Sequence, residues 1–240
     1  DLTEWKSVVS EIFKDYPEIT VAIVGKYTQV PDAYISVSES LKHAGIKNKV
    51  KVKIKLVDSE EIEKQGAAAK LGDVNGIIVP GGFGNRGIEG KIMAANYARV
   101  NKVPYLGLCL GMQIAVIEFA RNVAGLKDAN SKEFSETTKN QVIHIMEDQK
   151  TISQKGGTMR LGAYDCKLIE GTKAQTYYGK TDISERHRHR YEFNNDYKEK
   201  FTKLGLTVAG INEERDLVEI VELGDHPFYV GVNFSIAQAR

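Results

Sequence analysis

Cys109 stands between two glycines in PYLGLCLGMQ (104–113), directly after an apolar run and directly before a helical pattern. Gly-x-Cys-x-Gly across a strand-to-helix turn is the thiol counterpart of the Gly-x-Ser-x-Gly nucleophile turn, in which Gly107 and Gly111 keep side chains out of the bend. At such a turn the helix N-terminus favours thiolate over thiol, and the N–H of Leu110 points to where an oxyanion would form. The same residues also describe a small buried cysteine packed in a turn, so the rest of the chain has to decide. A second glycine cluster, PGGFGNRG (80–87), contains G-x-G-x-x-G at Gly82, Gly84 and Gly87, the pattern of a dinucleotide-binding turn. That reading needs a carboxylate about 20 positions further on, and the chain there reads YLGLCLG. As an exposed backbone loop, the cluster can instead aim the N–H of Gly82 or Phe83 at the thiol and complete an oxyanion hole.

Both turns need strands to end on and helices to open. Apolar, β-branched runs at 20–25, 50–57, 75–82 and 102–108 alternate with helical patterns at about 32–44, 60–71, 87–99 and 110–123. Strand, helix, strand, helix predicts a parallel sheet covered on both faces, with functional loops at the carboxyl ends of its strands. After Gly125 a polar segment leads into shorter alternating runs, HIM, TMRLGAYDCKLI, LTVAGIN, LVEIVEL and FYVGVNF. These predict antiparallel additions to the same core, because no Pro/Gly/Ser linker sets them apart.

The 240 residues suffice for one large α/β domain. With 33 basic against 32 acidic residues, the chain has no general field for nucleic acid or an anionic membrane, which leaves a small molecule as the default ligand. No apolar run is long enough to span a bilayer. Two cysteines are too few for a disulfide framework or a cysteine-based metal cage, and they fit a reducing, cytoplasmic setting. The opening on Asp1, in DLTEWKSVV, predicts a segment of something longer with an N-terminal partner.

The stretches VGKYTQVPDAYISVSESLKHAG, PGGFGNRGIEGKIMAANYA, PYLGLCLGMQIAVIEFARNV, DANSKEF, GGTMRLG, ERHRHRYEFN and DHPFYVGV together span 24–234. In them the chain resembles the class I (triad) glutamine amidotransferases, and GGTMRLG and RHRHRYEFN resemble the glutaminase domain of the CTP synthase family in particular. The resemblance implies a three-layer α/β/α sandwich over 19–240, with 1–18 as the tether from an N-terminal synthase domain. It also implies hydrolysis of L-glutamine through a γ-glutamyl thioester on Cys109. Gly82 and Leu110 would supply oxyanion-hole amides, and Gly81, Phe83, Gln113, Glu133 and Arg190 would hold the glutamine. Glu133 can pair with the substrate ammonium and Arg190 with its α-carboxylate through a planar fork. No cofactor or metal is implied here. ATP and Mg, the amination of UTP to CTP and activation by GTP belong to the synthase domain and the whole enzyme, expected to be a homo-oligomer.

Taken alone, ERHRHRY reads as a solvated charge run, and the resemblance changes that only for Arg190. His187 and His189 lack spaced metal-ligand partners, which points to a structural or interdomain role. Cys166 alternates with Tyr164 and Leu168 on an apolar strand face and reads as core, and Tyr177 and Tyr178 read as packing residues. The family's base belongs at the end of the last strand, where it reads His-Pro-Glu and this chain reads Ser235, Ile236 and Ala237. His226 is nine residues away, roughly 30 Å along a strand at about 3.3 Å per residue, so it sits at the wrong end. A hydroxyl cannot do the proton transfer of an imidazole near neutral pH, so hydrolysis is expected to be impaired. The alternative function is a non-catalytic glutamine-binding or regulatory module with the same fold.

Overall fold

The computed structural model describes residues 1–30, 32–145 and 159–234. Residues 156–158 of GGTMRLG, Met146 of HIM, and Ser235, Ile236 and Ala237 lie outside the described residues. In the first half, α1 (Thr3–Ile12) precedes β1 (Glu18–Gly25), α2 (Ile35–Asn48), β2 (Lys51–Asp58), α3 (Ser59–Gln65) and α4 (Ala67–Leu71). Then come β3 (Gly76–Val79), α5 (Ile88–Asn101), β4 (Tyr105–Leu108) and α6 (Leu110–Asn122). The second half runs β5 (Asn130–Ser131), β6 (Gln141–Ile145), β7 (Arg160–Leu168), α7 (Lys173–Tyr178), β8 (Asp182–His189) and β9 (Tyr191–Phe193). It ends with α8 (Lys198–Lys203), β10 (Leu206–Asn212), β11 (Leu217–Leu223) and β12 (Tyr229–Val232).

Nine strands form one sheet in the order β2-β1-β3-β4-β12-β11-β10-β7-β8. The pairs among β2, β1, β3, β4 and β12 are parallel, and those from β12 outward to β8 are antiparallel. A smaller sheet, β5-β6-β9, stands apart. Alternate residues of β1 feed two cores, as the period of a strand requires. Ala22 and Val24 pack with Ile62, Leu71, Ala95, Ile114 and Phe201 from α3, α4, α5, α6 and α8. Val21 and Ile23 pack with Val37 of α2 and Ala174 of α7 on the opposite face. The architecture is therefore the expected α/β/α sandwich with antiparallel additions. Among the described residues no helix is long and apolar enough to cross a membrane.

Three local expectations need correction. The helix expected over 60–71 is two helices, broken at Gly66 (φ 86°, ψ 151°), a conformation open to glycine and costly for other residues. The ERHRHRY run belongs largely to the edge strand β8, where His187 and His189 point inward and Arg186 and Arg188 outward. Tyr177 is exposed, its ring tilted against Phe228 with centroids 5.5 Å apart, and Tyr178 also lies at the surface, its hydroxyl donating to Glu185 Oε1 at 2.9 Å. Cys166 is buried in the core as expected.

Candidate active site

The parallel register puts the end of β12 beside the end of β4: Val232 lies opposite Leu108, and the N–H of Cys109 donates to Val232 O at 2.7 Å. Cys109 opens α6 with φ 52° and ψ −102°, a backbone conformation rare for a side-chain-bearing residue and worth about 1–3 kcal/mol of strain. Close packing enforces it. A Cβ on Gly107 would lie 2.5 Å from the Gly111 carbonyl, and one on Gly111 would lie 2.1 Å from Val79 O. The Tyr105 hydroxyl donates to Gly111 O at 2.8 Å, holding the first turn of α6 over β4. The two flanking glycines thus let the backbones of β3, β4 and α6 touch.

The second glycine turn lies against this bend. A Cβ on Gly81 would stand 3.6 Å from Cys109 Cβ, and one on Gly82 would stand 3.4 Å from Leu110 Cδ2. Phe83 is half exposed, and its carbonyl accepts from Lys26 Nζ. The Gly84 N–H donates to Glu133 Oε1 at 2.8 Å, which draws the polar segment after β5 over the site. Burial raises the Glu133 carboxyl above the usual range, while the Gly84 N–H, Lys26 and Arg190 pull it down. Arg190 lies between β8 and β9. Gln113 is buried; its Nε2 donates to Tyr191 O at 3.3 Å, and its Oε1 has no partner among the described residues. The dinucleotide reading of Gly82, Gly84 and Gly87 does not fit this arrangement, since the Glu133 carboxylate already occupies the loop N–H that a phosphate would need.

Burial also pushes the Cys109 thiol up to about 12; the Leu110 N–H opposes this, and the charges of Glu192 and Glu133 add to it. Desolvation thus outweighs the helix mouth, against the expectation of a favoured thiolate. His226 lies at the other end of the sheet, with Nε2 3.0 Å from Ala98 O, as its sequence position implied. His187, His189 and Glu219 bring three ligand-type atoms within 4.8 Å of one another. The carboxylate of that trio already faces a cation, Arg160 Nη1, at 2.6 Å from Glu219 Oε1. Sequence reasoning gave no role to Glu192, Arg160 or Asn233 around this site; Arg160 and Glu192 fall in the stretches GGTMRLG and RHRHRYEFN, and that was the signal available for them.

A cysteine on a strained strand-to-helix turn, facing a glycine loop and a carboxylate, is the arrangement of an acyl-transfer nucleophile. Residues 29–234 match the class-I glutamine amidotransferase family, and the chain belongs to it. The "CTP synthase" of Carboxydothermus hydrogenoformans is 57% identical over 234 residues, covering 98% of this chain and 44% of that protein. That of Cytophaga hutchinsonii is 55% identical, covering 98% and 43%. The chain thus spans less than half the length of these relatives. The glutaminase domain of Trypanosoma brucei CTPS, solved with bound acivicin, superposes with a TM-score of 0.83 at 42% identity, covering 90% of this chain and 85% of that one.

Proposed function

We propose that this chain is the glutamine-hydrolysing part of a CTP synthase, with Cys109 as its nucleophile. The observation that carries this reading is the strained turn at Cys109 packed against Gly81 and Gly82. Cys109 Sγ attacks the side-chain amide carbon of glutamine, and the N–H groups of Gly82 and Leu110 receive the oxyanion. Collapse breaks the C–N bond, the leaving nitrogen takes a proton and departs as ammonia, and a γ-glutamyl thioester remains. Water then attacks the thioester and returns glutamate and the thiol. Gly81, Phe83 and Gln113 line the glutamine, Glu133 receives its ammonium and Arg190 its α-carboxylate. A synthase domain on the N-terminal side of 1–18, binding ATP and Mg, would take the ammonia to UTP in a homo-oligomeric, cytoplasmic enzyme.

The base of the reaction falls to position 235, oriented from 237, where this chain carries Ser235 and Ala237. Ammonia release from glutamine is the direct test. The chain as it stands is expected to be slow by about 10² to 10⁴ relative to a Ser235→His/Ala237→Glu variant. Equal rates would refute this assignment of the base, and no release from either protein would refute the glutaminase reading. The second reading, a glutamine-binding module without turnover, draws on Ser235 and Ala237 standing where the family carries His and Glu; glutamine binding without release by the double variant would favour it.

A further inference from the structure

Beside Cys109 lies a group of buried polar side chains that the reaction above does not use. Arg160 Nη1 is 2.6 Å from Glu219 Oε1 and 3.3 Å from Glu192 Oε1. His187 Nε2 is 2.8 Å from Glu219 Oε2, and His189 Nδ1 is 3.4 Å from Glu192 Oε1. Asn233, the residue after β12, donates from Nδ2 to Glu192 Oε2. Each of these six side chains is at most 2% exposed.

Their placement joins two sheets. Glu192 is the middle residue of β9 in the small sheet, paired with His144 of β6. That sheet carries the Tyr191 carbonyl that receives Gln113, and the Ser131 hydroxyl of β5 accepts from the Glu133 N–H at 3.1 Å. Asn233 belongs to the large sheet: its N–H donates to Glu219 O at 2.8 Å, and the preceding Val232 O receives the Cys109 N–H. The Glu192–Asn233 bond therefore ties the part of the site assigned to holding glutamine to the part assigned to breaking its amide.

We propose that Glu192 is a positioning residue of the Cys109 site, its carboxyl fixing the small sheet and the end of β12 in register with each other. This rests on the glutaminase reading for the names of the two parts, though not for the contact itself. The groups facing Glu192 are Arg160 from β7, His189 from β8, Glu219 from β11, Asn233, and the Cys109 thiol, on which Glu192 acts as a negative charge; His187 from β8 meets Glu219 instead. A carboxamide at 192 keeps an oxygen to accept from Asn233 and loses the charge. A methyl group loses both.

The test compares the full chain with its Glu192→Gln and Glu192→Ala variants in three measurements. Hydrogen exchange of the Cys109 and Asn233 amides should quicken about tenfold or more in Glu192→Ala, with the β1 amides unchanged, and stay near the parent rate in Glu192→Gln. Protection of Cys109 from iodoacetamide by glutamine should weaken about tenfold in Glu192→Ala and no more than about twofold in Glu192→Gln. The pH profile of Cys109 alkylation should move to lower pH in both variants, because both remove the negative charge; a purely structural side chain would not produce that shift in Glu192→Gln. Unchanged exchange in Glu192→Ala overturns the proposal, as does Glu192→Gln exchanging like Glu192→Ala. A parent whose Cys109 gains no protection from glutamine would sink the substrate assignment instead, and exchange and alkylation would still decide the role of Glu192.

Discussion

Cys109 and Cys166 show how little a thiol's burial says about its use. Burial pushes both up to about 12, yet their surroundings differ. Cys109 has the Leu110 N–H beside it, at the mouth of a 13-residue helix and just past the carboxyl end of β4. Cys166 is packed under Gly210, where an added Cβ would lie 2.8 Å from its sulfur. Limited alkylation followed by peptide mapping is therefore expected to label Cys109 at least about tenfold faster than Cys166. Faster labelling of Cys166 would remove Cys109 from its role. Glu133 gives a second expectation. A charged hydrogen bond to the glutamine ammonium is worth about 1.5–3 kcal/mol, so Glu133→Gln should weaken glutamine protection of Cys109 by roughly 10- to 100-fold. The binding form is the carboxylate and its pKa is raised, so protection in the parent should fade with falling pH sooner than for a solvent-exposed glutamate. Protection that is flat down to pH 4 would argue that Glu133 does not meet the ammonium.

At the scale of elements, the bend at Cys109 depends on the absence of side chains. Gly111→Ala would drive a methyl group into the Val79 carbonyl at 2.1 Å, with backbone on both sides and nothing flexible to yield. It should cost about 1–3 kcal/mol or more by urea unfolding and disturb labelling at Cys109. Gly125→Ala is the control: nothing lies within 4 Å, and its φ of +73° alone should cost about 1–2 kcal/mol without affecting the thiol. Equal labelling in both variants would mean that the close approach does not shape the turn. These elements were legible in the sequence because parallel strands buried on both faces read as apolar runs and their glycines mark the turns. The two glycine loops were legible for the same reason, while the roles proposed for their residues came from the resemblance. The second half was harder to read: β8 buries histidines where a strand usually buries aliphatic residues, so its alternation looked like a solvated run. Helix α1 was read as tether, and α7 and α8, at six residues each, are too short to show a helical period. Glu192 escaped because its side-chain partners come from three other strands and from the end of β12, a constellation that no local spacing reveals.

At the scale of the whole molecule, the sheet changes character at β12, with parallel strands carrying the nucleophile on one side and antiparallel strands on the other. A group of buried charged side chains from the antiparallel strands meets Glu192 of the small sheet at this junction, and its balance is narrow: one guanidinium faces two carboxyls, with two histidines packed against them. Arg160 also stacks over the Tyr164 ring at 4.2 Å, while its Nε and Nη2 have no partner among the described residues. Burial, together with the nearby Glu219 charge, raises the Glu192 carboxyl to about 8 from an ordinary 4.5. A carboxyl with a raised folded-state pKa contributes stability that is fully present below 4.5 and is lost as pH rises to about 8, so unfolding should become easier across that window. Arg160→Met removes the only cation facing Glu219 and Glu192 among the described ion pairs. It should cost about 3–5 kcal/mol at pH 8, the penalty of stranding buried charge, and steepen the loss with pH. Adding Glu219→Gln to Arg160→Met should recover part of that cost, because the stranded charge goes with the carboxylate. Urea unfolding of the parent, the single and the double variant at pH 5 and pH 8 measures all of these terms. If Arg160→Met is no less stable than the parent at pH 8, the network is not held together by charge, and packing alone would have to account for the junction between the two kinds of sheet.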